Sequence, residues 1–294
     1  EKELQAQKER SRNAAAQDID DWQEVRAIEQ CEFVGYDCLN TTVNISRYRR
    51  VTSKGKTTYQ LVFDRTPFYG NSGGQVGDTG YIESANEKIA IVATEKENGL
   101  TIHIATTLPE NLSATFHAVV DPAKRQNAAN NHTATHLLHA ALRKVLGEHV
   151  EQKGSMVSPE SLRFDFSHFQ KVTPEQLREV ERLVNRAVRA NDPLEEKRDA
   201  TQEEAKAAGA MMLFGEKYGD KVRMVRFGSS VELCGGTHTS ATGNIGFVKI
   251  VSESAISAGV RRIEAVTGEA AEKLLYVAED TIHAAAEVVG NPKL

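Results

Sequence analysis

Cysteine is scarce: Cys31, Cys38 and Cys234 are all that 294 residues contain. An odd, sparse set with no secretory leader argues against a disulfide framework and implies a reducing compartment. No apolar run approaches the length of a membrane span. Positive charge is not in excess either. The formal net charge is -5, which argues against a strongly basic nucleic-acid module while leaving room for a local basic surface. A phosphate loop is missing: Gly55-Lys56-Thr57 resembles the end of one, but position 50 is Arg and no helix follows, so a hairpin turn is the expectation. No initiator methionine stands before the charged stretch Glu1–Ala16. That stretch reads as a helix belonging to a preceding domain, so the sequence is expected to be a piece of a longer protein.

What is present is enough for a packed core, with 40% apolar residues. From about 17 to 122 the periodicity is two. Thr42–Ile45, Thr58–Phe63, Lys88–Val92 and Leu100–Ile104 alternate, and short strands broken by Gly, Asn and Ser point to a small barrel or sandwich. His103 and His117 lie in such strands without a partner at ligand spacing, and are expected to be ordinary strand residues. One stretch is too rich in glycine for simple turns: Gly70, Gly73, Gly74, Gly77 and Gly80 fall within eleven positions. Two accounts remain open, tight barrel corners or a loop lying against a ligand or against the following domain.

Beyond Asp121-Pro122 the pattern changes. A helix is expected from about Ala123 to Leu146, stopping at Gly147, with Leu137, Leu138, Ala141, Leu142 and Val145 facing a core. His132 and His136 stand one helical turn apart on it, and His139 lies near the same face, so a His136/His139 pairing is also permitted. A hundred residues on, Cys234-Gly235-Gly236-Thr237-His238 offers a thiolate and a third imidazole. Soft sulfur and nitrogen in a set of four suit a tetrahedral zinc ion, with the helix and the glycine loop each supplying two ligands. A zinc peptidase is excluded, because Thr133 rather than Glu follows the first histidine. Thr173-Pro174-Glu175-Gln176 and Thr201-Gln202-Glu203-Glu204 are capping boxes that open two further helices. Glu151–Val157 reads as a polar loop entering a strand, and strands are expected at Leu162–Phe166, Val222–Phe227, Val231–Leu233, Ile245–Ser252 and Val260–Val266. Without a βαβ rhythm the class is α+β. Leu274, Leu275, Ala278, Ile282, Ala285 and Val289 recur at helical spacing near the end, a stripe that needs a partner.

At this level of detail HTATH (132–136), QKGS (152–155), LRFDFSH (162–168), GAMMLFGEKYGDKVR (209–223), ELCGGTH (232–238), TGNIGFVKI (242–250) and GVRRIEAVTG (259–268) resemble the editing domain of the alanyl-tRNA synthetase family. TPFYGNSGGQVGDTG (66–80) looks like the glycine-rich region of the β-barrel before it. The resemblance implies a helical end of a preceding domain at 1–16, a β-barrel subdomain at 17–122, a zinc-dependent editing domain at 123–268 and the start of a C-terminal helical region at 269–294. It implies one zinc ion per chain, held by His132, His136, Cys234 and His238, with Thr135, Gln152 and Arg261 lining the catalytic pocket. The activity implied is hydrolysis of the ester of Ser-tRNA(Ala) and Gly-tRNA(Ala). The ATP-dependent joining of alanine to tRNA(Ala) would belong to an N-terminal domain outside this chain.

The partner implied is tRNA(Ala) with its aminoacylated 3′ end, with no membrane and no DNA, in the cytoplasm. Arg47, Arg49, Arg50, Lys54, Lys56, Arg261 and Arg262 are the expected basic contacts, although solvated strand residues explain the first five equally well. The family continues into a helical domain that promotes dimerisation, so the chain itself is expected to be a monomer or weak dimer. Two alternatives stay open: a zinc-stapled tRNA-binding module without hydrolytic activity, and a free-standing type of trans-editing deacylase.

Overall fold

The structure is a computed structural model describing residues 17–28, 30–212 and 219–290. The helix expected over 1–16 and part of the 209–223 motif lie outside the described residues. The described chain forms two compact units, one of residues 17–72 and 77–125, the other of residues 73–76 and 126–290.

The first unit contains β1 (Gln17–Ile19), β2 (Gln23–Glu24), β3 (Glu32–Phe33), β4 (Asn40–Ser53), β5 (Lys56–Phe63), β6 (Arg65–Thr66), β7 (Gly80–Glu83), β8 (Lys88–Glu97), β9 (Leu100–Ala105) and β10 (Thr115–Val120). Six of these close a barrel in the order β4-β10-β7-β8-β9-β5 and back to β4, every pairing antiparallel. The length of β4 makes closure possible. Its first residues, Asn40–Asn44, pair with β10, and its remainder pairs with β5 after a bulge between Ile45 and Arg47. Strands β1 and β2 add to the far part of β4.

Period two sends Val43, Ile45, Leu61, Phe63, Ile82, Ile91, Phe116 and Ala118 inward as one buried cluster. Lys54 and Gly55 turn β4 into β5 with φ of 51° and 75°, so Gly55-Lys56-Thr57 is a hairpin. His117 is exposed on β10, and His103 is fully buried on β9.

Asp121-Pro122 ends the barrel and also starts a helix. The Asp121 carboxylate accepts the backbone N–H groups of Ala123 and Lys124 at 3.1 Å each, and proline takes the first helical position. Helix α1 (Pro122–Leu146) follows. Its first turn carries Arg125, buried in the first unit, where it pairs with Asp78 and donates to the carbonyls of Gly35 (2.7 Å) and Pro67 (2.8 Å).

The second unit continues with β11 (Gln152–Val157), β12 (Leu162–Ser167), α2 (Pro174–Ala190), β13 (Glu195–Thr201), α3 (Gln202–Ala207), β14 (Lys221–Phe227), β15 (Ser230–Leu233), a 3-10 turn (Thr242–Ile245), β16 (Val248–Ser257), β17 (Val260–Thr267) and α4 (Gly268–Val288). Both expected capping boxes form, at Thr173/Gln176 and Thr201/Glu204. Gln152, expected in a loop, is instead the first residue of β11. One antiparallel sheet runs β11-β12-β17-β16 and a second runs β13-β14-β15.

The core joins α1, α2 and the larger sheet through Leu138, Leu142, Phe164, Phe166, Val180, Val184, Ile263 and Ala265. Asn185 of α2 stitches helix to sheet by bonding both backbone groups of Val248. Helices and antiparallel sheets with a closed barrel make this an α+β protein. Leu274, Leu275, Val277 and Ile282 of α4 are exposed. No helix among the described residues is long and apolar enough to cross a membrane.

Candidate metal centre

His132 and His136 sit in the interior of α1, and both are buried. Cys234 follows the last residue of β15, and its chain then turns back through two glycines to His238. The four side chains converge, with one ligand atom from each lying within 4.8 Å of all the others. Cys234 Sγ is 3.4 Å from His132 Nε2 and 3.3 Å from His238 Nε2. The three imidazole rings stand 4.6–5.3 Å apart, centroid to centroid.

The loop is built from backbone chemistry that the sequence does not advertise. Arg223 of β14 donates to the carbonyls of Cys234 (3.0 Å) and Gly236 (2.8 Å), and is itself held by Glu196 at 2.6 Å. The Gly236 N–H points at the Cys234 sulfur, 3.3 Å away. Gly236 must lack a side chain, since a Cβ there would come within 2.0 Å of the His132 ring. The opposite nitrogens of two rings are occupied. His238 Nδ1 is 3.0 Å from the Thr133 hydroxyl, which also accepts the Thr239 N–H, and His132 Nδ1 is 2.7 Å from Gln75 Oε1.

Charge is balanced at close range. Burial opposes ionisation of Cys234, but the imidazoles of His132, His238 and His136 outweigh it and hold the thiol well below its ordinary value. Burial also works against charge on His136, yet Glu232 and Cys234 raise it to about 9. His238 is driven down to about 3, chiefly by burial. The Glu232 carboxylate lies 3.6 Å from His136 Nε2 and 3.4 Å from His139 Nδ1. His139 itself is not in the four-residue cluster. Its ring packs 5.1 Å from that of Phe164, and neither of its ring nitrogens has a hydrogen-bond partner. Among the described residues the cluster of His132, His136, Cys234 and His238 is the set that could hold a metal ion.

Thr135, Gln152 and Arg261 are not members of this cluster. The Thr135 hydroxyl is buried and donates to the Asn131 carbonyl one turn back, at 2.8 Å. Gln152, Phe166 and Arg261 are direct neighbours across β11, β12 and β17, so their side chains share one face of the sheet. His139 of α1 lies against Phe164 on that same face, and Asn131, one turn before Thr135, bonds the Ser158 carbonyl and the Thr267 hydroxyl at the other end of these strands. Gln152 donates to Ser155 Oγ at 3.3 Å, and Arg261 pairs with the buried Glu253 carboxylate at 2.6 Å. Arg262, one residue on, pairs with Asp165. Of the basic residues expected to contact RNA in the barrel, Arg49 pairs with Glu97 and lies over the Trp22 ring, and Arg50 pairs with Asp20. Lys54 and Lys56 are exposed.

Comparison with known proteins gives this arrangement a family. The chain is 58% identical over 281 residues to an alanine–tRNA ligase of Parabacteroides distasonis, which covers 96% of the chain. It is 59% identical over 280 residues to that of Bacteroides fragilis, and 54% identical over 293 residues to that of Cytophaga hutchinsonii, covering 95% and 99% of the chain. The chain belongs to the alanyl-tRNA synthetase family. It spans about a third of the length of these curated relatives, the share being 32–33% in each.

Residues 1–123 match class II (A) tRNA synthetases, and residues 222–264 match the second additional domain of threonyl- and alanyl-tRNA synthetases. The second match contains Cys234, Gly236 and His238, and it stops short of the helix that brings His132 and His136. Sequence reasoning passed over Gln75, Thr133, Glu232 and Arg223. Only Gln75 had a signal, its place beside Gly73-Gly74 in the glycine-rich stretch, and the accommodation of 73–76 in the second unit favours the account in which that loop lies against the following domain.

Proposed function

We propose that this chain is the editing part of an alanyl-tRNA synthetase, and that it hydrolyses the ester of Ser-tRNA(Ala) and Gly-tRNA(Ala) in the cytoplasm. The observation that carries this reading is the convergence of three imidazoles and one thiolate on a common point. Three nitrogens and one sulfur are a zinc-type donor set. Around a tetrahedral zinc, neighbouring ligand atoms stand roughly 3.3–3.6 Å apart, and the sulfur–nitrogen separations here are 3.4 and 3.3 Å. Zinc bound there would supply a fixed positive charge that polarises and positions the aminoacyl end.

The protein's own groups do the rest. Thr135 has its hydroxyl proton engaged by Asn131, so its oxygen presents lone pairs to a substrate donor such as the hydroxyl of a seryl group. Gln152 offers an amide that can both donate and accept. Together they favour a serine hydroxyl over an alanine methyl, because a site built for a hydrogen bond loses affinity for a group that cannot make one. Arg261, clamped by Glu253, holds positive charge where the RNA backbone or the developing oxyanion needs it. The whole protein, in this reading, also joins alanine to tRNA(Ala) with ATP through a region outside the chain.

The test is hydrolysis of seryl-, glycyl- and alanyl-tRNA(Ala) by the chain and by its Cys234→Ala variant, with zinc measured on the same samples. The proposal expects about one zinc per wild-type chain, rapid loss of seryl ester and sparing of alanyl ester, with zinc and activity lost together in the variant. One observation favours a second reading. Four protein ligands ordinarily close the shell of a structural zinc, so a metal-stapled tRNA-binding module would keep tRNA affinity and zinc yet leave every ester intact.

A further inference from the structure

We infer that Gln75 is a positioning residue of the metal centre, which holds His132 in the tautomer that a ligating imidazole needs and locks the glycine loop against the helix. This rests on the reading of the histidine–cysteine cluster as a metal site. Gln75 is fully buried. Residues 73–76 belong to the second unit and dock there on the edge of β11, where the Val76 N–H donates to the Val157 carbonyl (2.9 Å) and the Val157 N–H to the Gly74 carbonyl (2.7 Å). Gly74 has φ of +81°, and a Cβ on it would come within 2.4 Å of Ser155 Oγ. The glycines therefore let the backbone approach β11 closely enough to push the Gln75 amide into the cluster.

The amide's orientation follows from its partners. The Thr237 N–H is an obligatory donor, so the atom facing it at 2.9 Å is Oε1. The same oxygen faces His132 Nδ1 at 2.7 Å, and Nε2 of the amide donates to the Thr237 hydroxyl at 2.8 Å. A carbonyl oxygen only accepts, so His132 Nδ1 carries a proton and its Nε2 is the ring nitrogen left to face the Cys234 sulfur. Ligating histidines are commonly held this way, with the second ring nitrogen donating to a fixed acceptor. One side chain thus bonds both halves of the ligand set, helix through His132 and loop through Thr237. Gly236 makes this possible, since a Cβ there would meet the His132 ring and come within 3.0 Å of Gln75 Oε1.

The experiment measures zinc affinity by competition with a chromophoric chelator in wild type, Gln75→Met and Gln75→Glu. Methionine removes the acceptor and leaves two buried N–H groups unpartnered, and zinc affinity should fall about 10–100-fold. Glutamate keeps the acceptor for both, with the Thr237 hydroxyl reversing to donate, and should restore most of the loss. As a second readout, the His132 Nδ1–H proton of the zinc-loaded chain should exchange slowly with solvent in wild type and Gln75→Glu, and quickly in Gln75→Met. Equal zinc affinity in wild type and Gln75→Met overturns the inference while leaving the metal site standing. A wild-type chain that takes up no zinc overturns the metal reading itself. Should Gln75→Met fail to fold, the wild-type resonance decides: slow exchange supports the role of Gln75, and fast exchange rejects it.

Discussion

Both units bury histidine, and they do so for opposite purposes. In the barrel, His103 stacks on Phe63 at 4.0 Å and has both ring nitrogens occupied, one 2.7 Å from the Thr66 hydroxyl and the other 3.1 Å from the Leu61 carbonyl. Nothing is left over for a ligand, and burial drives its pKa down to about 3. In the second unit, His132 and His238 each have one nitrogen occupied by the protein and turn the other toward a shared sulfur. A buried imidazole satisfied on both sides is part of a core. One satisfied on a single side, with its second nitrogen facing other donors, is a ligand in waiting. The charged pair of the first unit follows the same rule as His103: Arg125 and Asp78 answer each other, and Arg125 also meets two backbone carbonyls.

The sharpest way to probe this contrast is to break the pairing inside the barrel. Arg125→Met leaves the Asp78 carboxylate buried without its partner, and should lower the stability of the first unit by about 3–5 kcal/mol in denaturant unfolding. Stability unchanged within error would mean that the Arg125–Asp78 pair does not hold the first unit together. A smaller effect is expected from Gly236→Ala. The new methyl collides with the His132 ring, and displacing a ligand should weaken zinc binding about 10–100-fold by chelator competition, with barrel unfolding unchanged. Undiminished affinity would show that the loop relaxes without moving the ring.

Taken per pH unit, the smallest effect is proton linkage at His103. Its folded pKa of about 3 lies below the ordinary value of 6.5. Between these limits the unfolded chain binds a proton that the folded chain refuses. The contribution of His103 is therefore whole above pH 6.5 and declines as pH falls toward 3, by up to about 1.4 kcal/mol per pH unit. Unfolding of the first unit followed from pH 7 to pH 4 should show this slope in wild type and lose that component in His103→Gln. Identical slopes in the two proteins would break the comparison.

Local pattern carried much of the architecture. Alternation in Lys88–Val92 foretold a barrel strand, whose residues are exposed and buried by turns, since period two and a half-buried sheet face are the same fact. Thr173-Pro174-Glu175-Gln176 foretold a helix start because a capping box satisfies backbone donors within four residues. Strand β13 was illegible. Glu195–Thr201 is nearly all polar, and only its pairing with β14 makes it a strand. Gln152 read as loop for a similar reason, its neighbours Lys153 and Gly154 hiding a bulged edge strand.

Chemistry divides in the same way. Residue type and helical spacing determined that His132 and His136 share a face, and that a thiol and a further imidazole recur on a loop without side-chain bulk at two positions, because donor identity and the 3.6-residue turn are properties of the chain itself. Which nitrogens stay bare was decided by tertiary structure. His139 carries the same ring as its neighbours, yet it sits against Phe164 and outside the cluster. Gln75 precedes His132 by 57 residues and still fixes its proton. Hydrogen bonds act over about 3 Å of space, whatever the distance along the chain, so the partners that select a tautomer emerge only when distant segments are folded together.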